Sequence, residues 1–217
     1  MTFDPKSTAV LLIDPYNDFI AEAGKLWPFV KDVATATNTV ANMATVTQAA
    51  RDAGAKVVFV PHHRWVPGDY DGWLRITGSQ AGANHMKLCE KDSWGGTFHP
   101  DFQVLDGDIV ASEHWAQSGF ANTDLDQQLK LRGIGHVIIV GLLANTCVES
   151  TARFAMLLGY EVTLVSDATA AFSAEAMHAA HQINGPTFAH HILTTAEVLD
   201  ALTPTAGDAQ PKESTHA

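Results

Sequence analysis

The feature of this sequence that most restricts its fold is a series of short, uninterrupted apolar runs. They are TAVLLI at 8–13, KVVFV at 56–60, HVIIV at 136–140 and EVTLV at 161–165. None is long enough for a helix with one wet face. Continuous apolar runs of this length form strands buried on both faces, as in a parallel sheet covered by helices. Weaker strands are read at GDIVA, 107–111, and at 190–193. Between the strands, apolar residues recur at helical spacing over 33–53, 124–132, 147–158, 174–182 and 195–202. Gly54, Gly133 and Gly159 follow the first three as helix stops. Strand and helix alternate, which predicts parallel strands joined by right-handed crossovers, with helices on both faces. The expected fold is α/β: a three-layer α/β/α arrangement around a six-stranded, mostly parallel, Rossmann-like sheet.

No Pro/Gly/Ser-rich linker divides the 217 residues, so one domain is expected over 1–202, followed by a polar tail at 203–217. The net charge of −11 argues against a nucleic-acid partner, which needs clustered Lys and Arg, and against an anionic membrane surface. Only two cysteines are present, Cys89 and Cys147, so a disulfide framework is not expected and a reducing, cytoplasmic setting is. No stretch approaches the roughly 20 apolar residues of a membrane span. The opening MTFDPKST lacks a basic region followed by an apolar run, so no signal peptide is expected. A small-molecule substrate is the partner this leaves.

Ligands of open parallel sheets bind beyond the carboxyl ends of the strands. Asp14 follows the first strand in LLIDPYNDF, SEHWAQSGF follows the third, and GLLANTC follows the fourth. Cys147 is read as opening a helix, where unpaired N–H groups and the positive dipole end would stabilise a thiolate and lower its pKa. The same N–H groups would hold an oxyanion. Asp14 is placed to accept and return a proton. The residues alone leave plainer readings open: Cys147 as a small buried apolar residue, and Asp14 and Asp18 as loop caps. Cys89 has no comparable setting and reads as a packing residue.

Three segments together resemble the isochorismatase-like cysteine hydrolases. They are LLIDPYNDF, SGFANTDLDQQL and GLLANTCVESTARFAMLLGYEVTLVSDATAAF, in that family's order, within a similarity from Thr8 to Leu202. The resemblance implies the isochorismatase-like hydrolase fold. It also implies a Cys-Asp-Lys triad acting on a small amide, ureido or carbamoyl C–N bond through a thioester. Asp14 and Cys147 stand at the Asp and Cys positions. The lysine position, four residues before Ser118, holds His114, preceded by Glu113, and there is no Lys between Lys91 and Lys130. A charged His114 would do part of the lysine's work over a narrower pH range, since imidazole titrates near ~6.5. Glu113 would orient a substrate N–H or bind a cation. Neighbours on a strand face opposite ways, so only one of the two is expected in the site. The resemblance further implies a cis Leu142–Leu143 peptide, oxyanion donors at the backbone N–H groups of Leu143 and Cys147, and a dimer or tetramer. It calls for no cofactor. Two rival functions remain: a vinyl ether hydrolase driven by Asp14, and a catalytically impaired ligand-binding homologue.

The long connection 61–106 is rich in Trp, His, Gly and Pro, and a connection of that length is commonly functional. Trp115, directly after the third strand, is the best pocket candidate. Phe19, Arg64 and Trp65 are further substrate-binding candidates, Arg64 as a fork for a carboxylate or as a surface ion pair. Tyr70, Trp73 and Trp94 suggest an aromatic pocket or lid. His62 and His63 read as pocket wall or loop contacts rather than metal ligands, because adjacent histidines are poorly placed to share one ion. His178, His181, His190 and His191 read as surface or core-edge residues.

Overall fold

A computed structural model of the chain describes residues 1–115 and 117–202. The segment 203–217, read above as a polar tail, lies outside them. The strands are β1 (Thr8–Ile13), β2 (Lys56–Val60), β3 (Ile109–Val110), β4 (His136–Leu142), β5 (Glu161–Ala170) and β6 (His191–Leu193). They form one sheet in the order β3-β2-β1-β4-β5-β6. Every pairing is parallel. The helices are α1 (Asn17–Ile20), α2 (Trp27–Ala36), α3 (Thr39–Ala53), α4 (Gly78–Met86), α5 (Leu125–Lys130), α6 (Glu149–Leu157), α7 (Ala174–His178) and α8 (Thr195–Leu202).

Side-chain alternation along the central strands divides the core into two layers. Val10 and Leu12 of β1, with Ile138 and Val140 of β4, pack on Met43, Val46 and Ala50 of α3 and on Val198 of α8. Ala9, Leu11 and Ile13, with Val137 and Ile139, face Leu125 and Leu129 of α5 and Ala152 and Ala155 of α6. β1 and β4 are buried on both faces along their whole length, which accounts for their unbroken apolar sequence. Among the described residues no helix is long and apolar enough to cross a membrane.

The expected strands are all present, with β5 running to Ala170 and β3 shortened to two residues. The helices depart more. The helix read over 33–53 is two, α2 and α3, separated at Asn38, whose φ of 54° breaks the first. Residues 61–106 contain a helix, α4, that the aromatic and glycine content obscured. The helical path carrying Cys147 begins at Ala144, three residues earlier than expected, as a wide turn over Ala144–Val148 that continues into α6.

Candidate active site

Strand order reverses between β1 and β4, so the chain leaves these neighbours in opposite directions and opens a crevice at their carboxyl ends. Asp14 follows β1 directly. It holds a left-handed conformation, φ 53°, uncommon for any residue but glycine. Its N–H donates to the Val60 carbonyl at 3.1 Å, and its own carbonyl accepts from the Tyr16 N–H at 2.7 Å. On the β4 side, Gly141 has φ 121°, and a Cβ there would collide with the Ile13 backbone. That close approach needs glycine. It brings the end of β4 against the residue before Asp14.

After β4 the Leu142–Leu143 peptide is cis, and the wide turn carrying Cys147 follows. The Leu143 carbonyl accepts from the N–H groups of Thr146 and Val148, both at 3.1 Å. Beyond β3 the chain keeps running beside the end of β2. The His114 N–H donates to the Pro61 carbonyl and the His63 N–H to the His114 carbonyl, both at 2.9 Å. That continued pairing carries His114 to the carboxyl end of the sheet, where Asp14 stands.

Three side chains meet there. His114 Nε2 donates to Asp14 Oδ1 at 2.9 Å, with both side chains fully buried. Asp14 Oδ2 has no N–H or O–H donor. The same carboxylate faces the Cys147 thiol, which is its hydrogen-bonding neighbour. Thr146 Oγ1 donates to Cys147 Sγ at 3.9 Å. The expectation of a lowered thiol pKa does not hold. Burial first, then the Asp14 charge and hydrogen bond, push the Cys147 thiol well up, against smaller opposing effects of Thr146 and Leu143. At rest Cys147 is therefore held as the thiol. Cys89 is raised too, by burial and then by Asp18. Its N–H donates to Asp18 Oδ2 at 2.8 Å, and Lys25 Nζ pairs with that oxygen at 3.3 Å, so Asp18 is a loop anchor.

Cys147 opens onto a cavity of about 350 Å³. Phe19, His62 and Leu143 line it, together with Gly78, Gly82 and Met86 of α4. An adjoining compartment of about 420 Å³ shares His62 and reaches Trp115. The Trp115 ring stacks on His63 with centroids 3.6 Å apart. Other candidates lie elsewhere. Glu113 turns from Asp14 toward Arg64, whose Nε donates to it at 2.6 Å, and toward His63. His63 and Arg64 hold the Glu113 carboxyl down at about 2, against the upward pull of burial. Arg64 and Glu113 line a separate groove with Tyr16 and Phe98. Trp65 donates to Asn84 Oδ1 at 2.7 Å and so braces α4. Among the described residues no group of three or more His, Cys, Asp or Glu is placed to hold a metal ion. The sequence reading missed α4, Gln117 and Phe172 as cavity wall. The signal for α4 was Thr77-x-x-Gln80, a capping box in which each side chain bonds the other residue's backbone.

The model of the isochorismatase domain matches residues 8–201. This chain belongs to the isochorismatase family. It is an enzyme of that hydrolase family, and solved structures agree. A cysteine hydrolase from Pseudomonas syringae pv. phaseolicola 1448A superposes with a TM-score of 0.77 at 26% identity, covering 93% of this chain and 95% of that one. The N-carbamoylsarcosine amidase from Thermoplasma acidophilum gives a TM-score of 0.64 at 27% identity, over 87% and 96%. An isochorismatase-like hydrolase from Alkaliphilus metalliredigens, at 24% identity and TM-score 0.72 over 91% and 97%, shares the fold.

Proposed function

We propose that this isochorismatase-family enzyme hydrolyses a small C–N bond, in an amide, ureido or carbamoyl group, with Cys147 as nucleophile. The observation that carries the reading is the buried Asp14 carboxylate, bonded by His114 on Oδ1 and facing the Cys147 thiol. A packing cysteine needs no such neighbour. Two relatives above a quarter identity bear names of the same kind, a cysteine hydrolase and an amidase.

Each group has one task. As Sγ attacks the carbonyl carbon, its proton passes to Asp14, and the oxyanion is held by backbone N–H groups of the Leu143–Cys147 turn. The C–N bond breaks, Asp14 gives its proton to the departing nitrogen, and a thioester remains. Water then adds to the thioester carbon, passing a proton to Asp14. The C–S bond breaks, and that proton returns to sulfur. The raised thiol suits this sequence, because the proton leaves sulfur only as the new bond forms. His114 stands at the lysine position and acts as a positioning residue for the Asp14 carboxylate. Glu113, bound to Arg64, has no part in it.

Replacing Cys147 with Ala tests the reading. Amide turnover is expected to fall by on the order of 10⁴-fold or more, as when other catalytic nucleophiles are removed. Turnover that survives in Cys147→Ala would point instead to acid chemistry by Asp14 alone.

A further inference from the structure

The cavity beyond Cys147 is distinctive in what lines it. Phe19, Leu26, Met86, Leu88 and Phe172 give it a large apolar wall, and among the described residues no Lys or Arg lines it or the adjoining compartment. The basic residues nearest the lining in sequence are engaged outside it: Lys25 Nζ on Asp18 and on the Lys87 carbonyl, Lys87 Nζ over the Trp65 ring, and Arg64 in the separate groove with its Nε on Glu113. The fixed charge near Cys147 is the Asp14 carboxylate. A carboxylate on the substrate would leave water, find no cation and face a like charge.

One polar side chain in that wall has a definite hydrogen-bonding sense. His62 Nδ1 lies 2.8 Å from the His63 carbonyl, which can only accept, so Nδ1 carries the hydrogen. Burial first, and the neighbouring histidines, oppose protonation of the ring, outweighing the pull of Asp14. The ring is therefore neutral, and Nε2 is a bare acceptor in a residue that lines both compartments. An acceptor in the cavity onto which Cys147 opens suits a substrate that brings an N–H.

We propose that the site takes a neutral carboxamide whose non-reacting part is apolar and carries no carboxylate, and that His62 selects it by accepting a hydrogen bond from the amide N–H. This rests on the reading of Cys147 as nucleophile, and the experiment separates the two.

The test has two arms. In the first, the intact protein is treated with p-nitrophenyl isobutyrate and, separately, with mono-p-nitrophenyl succinate. Acylation of Cys147 is followed by mass spectrometry and normalised to each ester's rate with free N-acetylcysteine. The neutral acyl group is expected to load at least about tenfold faster, the discrimination of a pocket that leaves a charge unpaired. Equal loading overturns the proposal while leaving Cys147 as nucleophile. No acylation of Cys147 by either ester overturns the nucleophile reading, and the proposal with it. In the second arm, turnover of isobutyramide is compared with that of p-nitrophenyl isobutyrate in His62→Leu and His62→Gln. His62→Leu should depress amide turnover about tenfold more than ester turnover, and His62→Gln, whose carbonyl also accepts, should restore the ratio. Equal losses on both substrates, or no rescue by Gln, would make His62 a structural residue and sink its half of the proposal.

Discussion

Asp14 offers two oxygens: an imidazole N–H takes one, and the carboxylate faces a thiol. Removing the imidazole leaves a buried carboxylate without its donor, which both misplaces it and burdens it. His114→Ala is therefore expected to lower kcat for p-nitrophenyl isobutyrate by about 10²-fold, in the range typical of general-base positioning. His114→Gln keeps an N–H near the Nε2 position and is expected to lose less than about tenfold. Equal losses for Ala and Gln would contradict the positioning role. Asp14 and Cys147, 133 positions apart, were legible as a candidate pair from their places after two apolar strands, and the family's motifs set that reading above plain packing and capping. The direction of the thiol shift was not legible. The sequence places Cys147 near a helix start, which argues one way, whereas full burial beside a carboxylate argues the other and wins. Glu113 and His114 are adjacent in sequence, and only the pairing of His114 with the end of β2 decides which of them meets Asp14.

At the level of elements, the strands were legible because burial on both faces writes itself as uninterrupted apolar sequence. The connection 61–106 was not, because α4 has no buried residue and hence no apolar stripe. That helix presents Gly78, Ser79, Gly82 and Ala83 to the cavity, and their small size is what leaves the space. No atom lies within 4 Å of a Cβ built on Gly82. Gly82→Ala is thus expected to stabilise the helix by about 1 kcal/mol, raising Tm by about 2–4 °C in a chain of this size. Thermal unfolding followed by circular dichroism checks it, and a lower Tm would mean that the added methyl has no room.

Across the whole molecule, buried titratable groups bound stability on both sides of neutrality. On the acid side, burial lowers His62 and His181, and lowers His136 to about 4, where it sits between Thr8 and Thr163. In the unfolded chain these rings bind protons near ~6.5, earlier than in the folded one, so stability falls as pH drops through that value toward about 4. Glu113, depressed to about 2, adds a loss between its unfolded value and that figure. On the alkaline side, both thiols are raised, so the unfolded chain releases their protons first and stability falls above ~8.5. Denaturant midpoints measured across pH should peak between ~6.5 and ~8.5. In His136→Asn the acid-side decline should be shallower, and an unchanged slope would contradict that assignment.

The central claim, that the Cys147 proton belongs to a thiol–carboxylate pair with Asp14, needs no substrate to test. The measurement is the rate of iodoacetamide alkylation at Cys147 against pH, read by peptide mass spectrometry in the native protein and in Asp14→Asn. The pair predicts slow alkylation at neutral pH, with a midpoint above the ~8.5 of a free thiol. It also predicts a clear fall in that midpoint once Asn removes the negative charge that holds the proton on sulfur. A native midpoint below the free-thiol value, or one that Asp14→Asn does not move, would contradict the coupling on which the proposed mechanism stands.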